Sequence, residues 1–168
     1  MLPLIFYFMN KAYLLTGGNL GNRMDYLSKA QTLIEQLCGN IAATSAVYET
    51  AAWGLQEQPS FYNRLLVTET NLAPEKLMET LLLIEEQMGR KRSIKLGPRT
   101  IDLDVLMIDD LVINTPLLTL PHPQMHNRRF ALIPFAEVAP NLVHPVFNKT
   151  IATLLTECPD TLDVHKIS

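Results

Sequence analysis

The sequence predicts an α+β protein with a ferredoxin-like βαββαβ core, and three observations predict it. Short apolar, β-branched runs and two amphipathic stretches follow the order strand, helix, strand, strand, helix, strand. Glycine and proline fall at the junctions between them. The 168 residues are 48% hydrophobic and 18% charged, enough apolar material for a packed core and far from the composition of a disordered chain. One domain over residues 1–168 is expected, with helices mainly on one sheet face and a C-terminal hairpin and helices added to the core. Residues 1–8, MLPLIFYF, read as an N-terminal extension, because Met9 can itself serve as a start.

Each element has its own reason. Ala12 to Thr16 reads as a short buried strand ended by a Gly17-Gly18-Asn19 turn. Leu27, Ala30, Ile34 and Leu37 mark one face of a helix over 23–38, with Gly39 as its C-terminal stop. Residues 41–49 and 61–70 are strands joined by the loop AAWGLQEQPS, in which Gly54 and Pro59 interrupt regular structure. Pro74 opens the next helix where its missing N–H costs nothing, and Leu77, Leu81, Ile84 and Met88 line its buried face until Gly89. A strand over about 100–108 follows, then Asp109-Asp110 as a hairpin turn into Leu111-Val112-Ile113. Residues 127–138 are expected as helical turns interrupted near Pro134, and Thr150 as the cap of a helix over 151–157.

Charge and cysteine content narrow the function. A net charge of −3 argues against a general nucleic-acid binder, which needs a broad basic surface. The apolar start is too short to span a membrane and lacks the features of a signal peptide. Cys38 and Cys158 form no metal pattern and read as free thiols in a reducing cytoplasm. His126, His144 and His165 show no ligand spacing either.

The chemistry is concentrated in two places. In Gly97-Pro98-Arg99-Thr100-Ile101-Asp102-Leu103-Asp104 two carboxylates sit two residues apart on a strand, so they share a face, with Cα atoms roughly 7 Å apart. Such a pair suits hard divalent cations such as Mg²⁺, and Arg99 adds a fork that matches phosphate oxygens. The segment before it, residues 89–99, holds five of the fourteen lysines and arginines, as expected of a polyphosphate clamp. Elsewhere, Phe61 and Asn63 alternate onto one strand face, an aromatic plane beside an amide able to pair with a heterocycle edge. Phe130 fits either a second aromatic of the site or an ordinary helix core residue, and the proline-flanked His122 fits a phosphate contact as well as a capping or surface role.

These motifs together resemble the 6-hydroxymethyl-7,8-dihydropterin pyrophosphokinase family of folate synthesis. The similarity runs from Lys11 onward through Gly-Gly-Asn-Leu-Gly, Gln58-Pro59-x-Phe61-Tyr62-Asn63, Leu72-Ala73-Pro74-Glu75, Gly89-Arg90, Gly97 to Asp104, Pro121-His122 and Asn127-Arg128-x-Phe130. Gly18 stands where many members have Ser, and Leu96 where some have Trp. The resemblance implies pyrophosphate transfer from ATP to 6-hydroxymethyl-7,8-dihydropterin. It implies Arg90, Arg92, Arg99, Asp102 and Asp104 as catalytic, the carboxylates holding two Mg²⁺ ions. Those three arginines, with His122 and Arg128, would bind ATP. Phe61, Asn63, Phe130, Thr50 and Trp53 would bind the pterin, Trp53 also as part of a lid. A cytoplasmic monomer acting on small molecules is expected, with neither nucleic acid nor membrane as partner.

Two other classes fit parts of the pattern. A ferredoxin-like domain can bind RNA on its open sheet, although an acidic pair there would repel RNA. A metal-dependent phosphohydrolase or nucleotidyltransferase could use the same carboxylates with a different acceptor, but it would have no need of two aromatics and Asn63.

Overall fold

The computed structural model describes residues 9–52, 57–91 and 97–168. The expected N-terminal extension therefore lies outside the described residues, as do Trp53, Arg92 and Leu96. The core elements occur in the predicted order: β1 (Asn10–Gly18), α1 (Arg23–Leu37), β2 (Asn40–Thr44), β3 (Tyr48–Thr50), β4 (Phe61–Thr70), α2 (Pro74–Gln87) and β5 (Asp102–Ile108). The second expected strand is split into β2 and β3. At the break Ser45 Oγ accepts the Leu65 N–H at 2.9 Å, replacing a backbone carbonyl of the ladder. The sheet runs β5-β1-β4-β3, antiparallel throughout, with β2 also paired to β4. This is the ferredoxin-like arrangement.

Added to this core are β6 (Ile113–Asn114), β7 (Thr119–Leu120), α3 (Arg129–Val138), α4 (Ile151–Glu157) and β8 (Val164–Lys166), which extends the sheet beyond β3. The Asp109-Asp110 turn does not make a hairpin with β5: β6 pairs with β7 in a separate two-stranded sheet. Asp109 takes φ 43° and bonds back to β1, its carboxylate accepting the Lys11 N–H at 3.1 Å. Nor does Pro134 interrupt its helix, because α3 continues through it. Thr150 caps α4 as expected, accepting the Thr153 N–H at 3.1 Å.

Period-two alternation gives the sheet two apolar faces. Ala12, Leu14, Leu66, Leu103 and Val105 meet Leu27, Ala30 and Ile34 of α1 and Leu77, Leu81 and Ile84 of α2. The two longer helices thus share one face. The opposite face, with Tyr13, Leu15, Leu65 and Val67, is covered by the shorter α3 and α4 through Leu132, Phe135, Ile151 and Leu154. Each fully buried aliphatic side chain stabilises the fold by roughly 1.5–3 kcal/mol, so Ile101, Leu103 and Val105 pin the register of β5. A slip by one residue would drive Asp102 and Asp104 into the α1/α2 core.

Candidate active site

Because Ile101, Leu103 and Val105 face α1 and α2, Asp102 and Asp104 point to the other side, beyond the end of the α3/α4 cover. They project from β5 into a cleft of about 270 Å³. Thr50, Phe61, Asn63, Arg90, Arg99, Asp102, Asp104, His122, Arg128 and Phe130 all line it. Every sequence-predicted site residue among the described ones is therefore in one cleft. They arrive from β3, β4, β5, the end of α2, the start of α3 and two connecting loops.

The floor is built on β1. Gly17 stands opposite Asn63 of β4 and opposite Asp102 of β5. Contrary to the sequence reading, Gly17 and Gly18 are strand residues, and the turn begins at Asn19. Both glycines are there for close approach: a β-carbon at Gly17 would overlap Asn63 Oδ1, and one at Gly18 would overlap the Thr100 carbonyl. With neighbouring strands about 4.8 Å apart, Gly17 separates the acidic strand from the Phe61/Asn63 strand by roughly 10 Å. Asn63 is 5% exposed, and its Nδ2 faces Thr50 Oγ1 at 3.4 Å.

The acidic side is held by arginines. Gly89, at φ 80°, reverses the chain after α2, so that the Arg90 N–H bonds back to Glu85 O at 3.1 Å. The Arg90 guanidinium then lies between Asp102, at 2.6 Å, and a close ion pair with Glu85. Burial works to lower the Arg90 pKa, but Asp102 and Glu85 outweigh it and hold the group above its ordinary value. Arg99 Nε approaches the other Asp102 oxygen at 3.2 Å, and its guanidinium carbon lies 4.7 Å from the Phe61 ring centre. Arg128 sits similarly over Phe130, at 5.8 Å.

The titrating groups are strongly perturbed. Burial, then the neighbouring Asp102 charge, pushes the Asp104 carboxyl up to about 7. Burial, reinforced by Arg128, lowers His122 to about 4, so its ring is neutral near pH 7. The Gln124 N–H donates to His122 Nδ1 at 3.1 Å, which leaves the ring proton on Nε2.

Two site features lie outside the sequence-based set. Glu85 is 3% exposed and anchors Arg90; a carboxylate four residues after Leu81 on an apolar helical stripe was its signal. Asn19 is 3% exposed and joins two loops. Its Nδ2 donates to Gln58 Oε1 and Pro59 O, both at 2.9 Å, while its Oδ1 accepts the Arg99 N–H at 2.9 Å. In the sequence its segment, Gly17 to Asn22, reads as a glycine turn able to bring backbone close to a ligand, which gives the Asn19 side chain no role of its own.

Among the described residues no three His, Cys, Asp or Glu side chains cluster as a complete metal cage. The hard-oxygen pair Asp102 and Asp104 does fit Mg²⁺, which characteristically takes one or two protein carboxylates and completes its shell with water and substrate phosphates.

A ferredoxin-like sheet with paired carboxylates and several arginines facing one cleft fits the class of enzymes that carry out phosphoryl-group chemistry. The model of the 7,8-dihydro-6-hydroxymethylpterin-pyrophosphokinase family matches residues 13–140, and the chain belongs to that family. It is 40% identical over 143 residues to the 2-amino-4-hydroxy-6-hydroxymethyldihydropteridine pyrophosphokinase of Aquifex aeolicus, covering 85% of this chain and 89% of that one. It is 35% identical over 158 residues to the folic acid synthesis protein FOL1 of Dictyostelium discoideum, covering 94% of this chain but 24% of that protein. The crystal structure of Plasmodium falciparum HPPK-DHPS with pteroate superposes with a TM-score of 0.74 at 18% identity. That match covers 89% of this chain and 42% of the other, and establishes the shared fold.

Proposed function

We propose that the cleft transfers pyrophosphate from ATP to 6-hydroxymethyl-7,8-dihydropterin, yielding the pterin diphosphate and AMP for folate biosynthesis. The observation that carries this reading is the convergence of all ten described candidate residues on one cleft, in two chemically distinct groups. Asp102 and Asp104 would hold two Mg²⁺ ions. Bound there, Mg²⁺ supplies charge neutralisation for the triphosphate. Arg90, Arg99 and Arg128, with Arg92 from outside the described residues, would grip the phosphate oxygens. His122 would donate from a neutral Nε2–H.

At the other side Phe61 and Phe130 offer aromatic faces for a flat pterin, and Asn63 offers both a donor and an acceptor to its edge. Thr50 holds the Asn63 amide, and Trp53 remains the candidate lid. Arg99 lies against Phe61, so the group that contacts the acidic pair also borders the pterin platform. In-line attack by the pterin hydroxyl on the β-phosphorus forms the new O–P bond. The hydroxyl's proton passes to solvent as the α,β-bridge bond breaks and its electron pair leaves with AMP. Alignment and electrostatics supply the rate, without a protein nucleophile.

No helix among the described residues is long and apolar enough to cross a membrane. That the enzyme acts in the cytoplasm as a monomer is part of this proposal and rests on the sequence reading alone. Product analysis tests the reaction. Mg²⁺-ATP and the pterin alcohol should give AMP and pterin diphosphate in equal amounts, with little turnover when the pterin is omitted. ADP release, or AMP formed equally fast without pterin, would favour a phosphohydrolase.

A further inference from the structure

We infer that residues 159–168, outside the span matched by the family model, form a strap that sets the distance between two walls of the cleft, with Asp160 as its positioning residue. One wall is the start of α3, which carries Arg128 and Phe130; the other is β3, which carries Thr50. The strap bonds to both.

At the α3 end, Arg128 stands at the N-cap position and makes no side-chain capping bond. Capping comes from a distant part of the chain: Asp160 Oδ2 accepts the Arg129 N–H at 2.9 Å, across 31 residues. Its other oxygen, Oδ1, accepts the Leu162 N–H at 3.0 Å, fixing the turn that follows. A carboxylate at a helix N-terminus satisfies an orphan donor and favours the positive end of the helix dipole. Phe130 is the next residue, so its backbone direction is set by this bond.

Four residues after Asp160, β8 begins. It pairs with β3 through Thr50↔Val164, Glu49↔His165 and Tyr48↔Lys166. The pairing continues past the strand, with the Ile167 N–H donating to Val47 O at 2.8 Å and the Val47 N–H to Ser168 O at 3.1 Å. Without β8, β3 would be a three-residue edge strand held on one side only, by its pairing with β4. A second link ties the same walls: Glu137 of α3 accepts from Tyr48 OH at 3.0 Å and the Ala46 N–H at 2.9 Å, and meets Lys166 at 3.6 Å. Thr50 and Phe130 therefore keep their spacing through this segment together with the Glu137 link, and residues 159–168 themselves line none of the cleft. The acidic pair stands on β5 and Arg90 follows α2, whereas Arg128 is on the strapped wall.

The inference rests on the proposed pterin role of Phe130 and Thr50. The test compares Asp160→Ala, Asp160→Asn and Ile167→Pro with the parent by steady-state kinetics, varying each substrate in turn, and by calorimetry with the pterin alone. Asp160→Ala should raise the pterin KM and Kd roughly 3- to 10-fold and the ATP KM by a smaller factor, because Arg128 stands beside the Asp160–Arg129 bond. Asp160→Asn keeps an acceptor oxygen and should recover most of that loss. Ile167→Pro removes the bond to Val47 from the exposed edge and should act on the pterin in the same direction. Unchanged pterin affinity in Asp160→Ala and Ile167→Pro, or equal losses for both substrates, would overturn the strap. Failure of the underlying reading looks different: Phe130→Ala would then leave pterin affinity untouched in the otherwise unaltered chain.

Discussion

Asp104 shows at a single residue how this site sets stability against function. Its carboxyl is pushed up to about 7 by burial first and by Asp102 second. In the unfolded chain it would titrate near 4. Between those values the native state binds the proton more tightly than the unfolded state. Stability from protonated Asp104 is therefore full below about pH 4 and lost as pH rises through about 7. Asp104→Asn keeps the shape and stays neutral. In metal-free buffer the variant should match the parent near pH 4 and gain on it as pH rises to 7. Above pH 7 it should remain on the order of 1–3 kcal/mol more stable. Its turnover should nevertheless fall by roughly 10²-fold or more, because charge at the polyphosphate is lost. Urea titrations across pH, beside turnover measurements, check both halves. A parent more stable than the variant at pH 8 without metal would refute the electrostatic account.

Among the elements, the connections of Asn19 matter most, since this buried side chain at the end of β1 ties the Gln58-Pro59 loop to the loop that carries Arg99. In the proposed reading the Arg99 loop borders the nucleotide, and the Gln58-Pro59 loop leads into Phe61 of the pterin platform. Asn19→Ala would leave the Arg99 N–H without that acceptor and free both loops from a common anchor, at a cost of roughly 1–3 kcal/mol if the vacated donor stays buried. It should therefore weaken both ATP and pterin binding and, above all, reduce the effect of one on the other. Calorimetry of the pterin with and without a non-hydrolysable ATP analogue measures that coupling; a coupling factor equal to the parent's would show that the loops move independently.

The same contrast explains what could be read from the sequence. α1, α2, β4 and β5 follow local periodicity, and Asp102, Asp104, Phe61 and Asn63 follow strand alternation, so both were legible. Asn19 was not, because its meaning lies in partners 39 to 80 residues away. Nor was β8, which is three residues long, largely exposed and defined only by pairing with β3. Glu85 was visible as a misplaced charge on an apolar stripe, but its partner Arg90 follows a glycine reversal that periodicity does not describe.

Across the whole molecule, β1 is the divider: it separates the strand of Asp102 and Asp104 from the strand of Phe61 and Asn63 while α1 and α2 hold its other face. In the proposed reading each substrate contacts several elements at once, so ligand binding should stabilise the entire fold by mass action. At a thousand times its Kd, Mg²⁺-ATP would contribute about 4 kcal/mol. For a chain of this size that corresponds to a rise in Tm of roughly 8–16 °C. ATP with a chelator should give much less, because Asp102 and Asp104 would then face the triphosphate with no cation between them. Asp102→Asn should shrink the gap between the two conditions, since it removes one ligand and one source of repulsion together. Arg99→Ala, which alters a group touching both Asp102 and Phe61, should lower the Tm gain from ATP and from pterin alike. Thermal melts of the three proteins with each ligand separately decide the matter. An equal Tm gain with and without Mg²⁺ in the parent would mean that the nucleotide is held by the arginines alone and that the carboxylates do not face its phosphates.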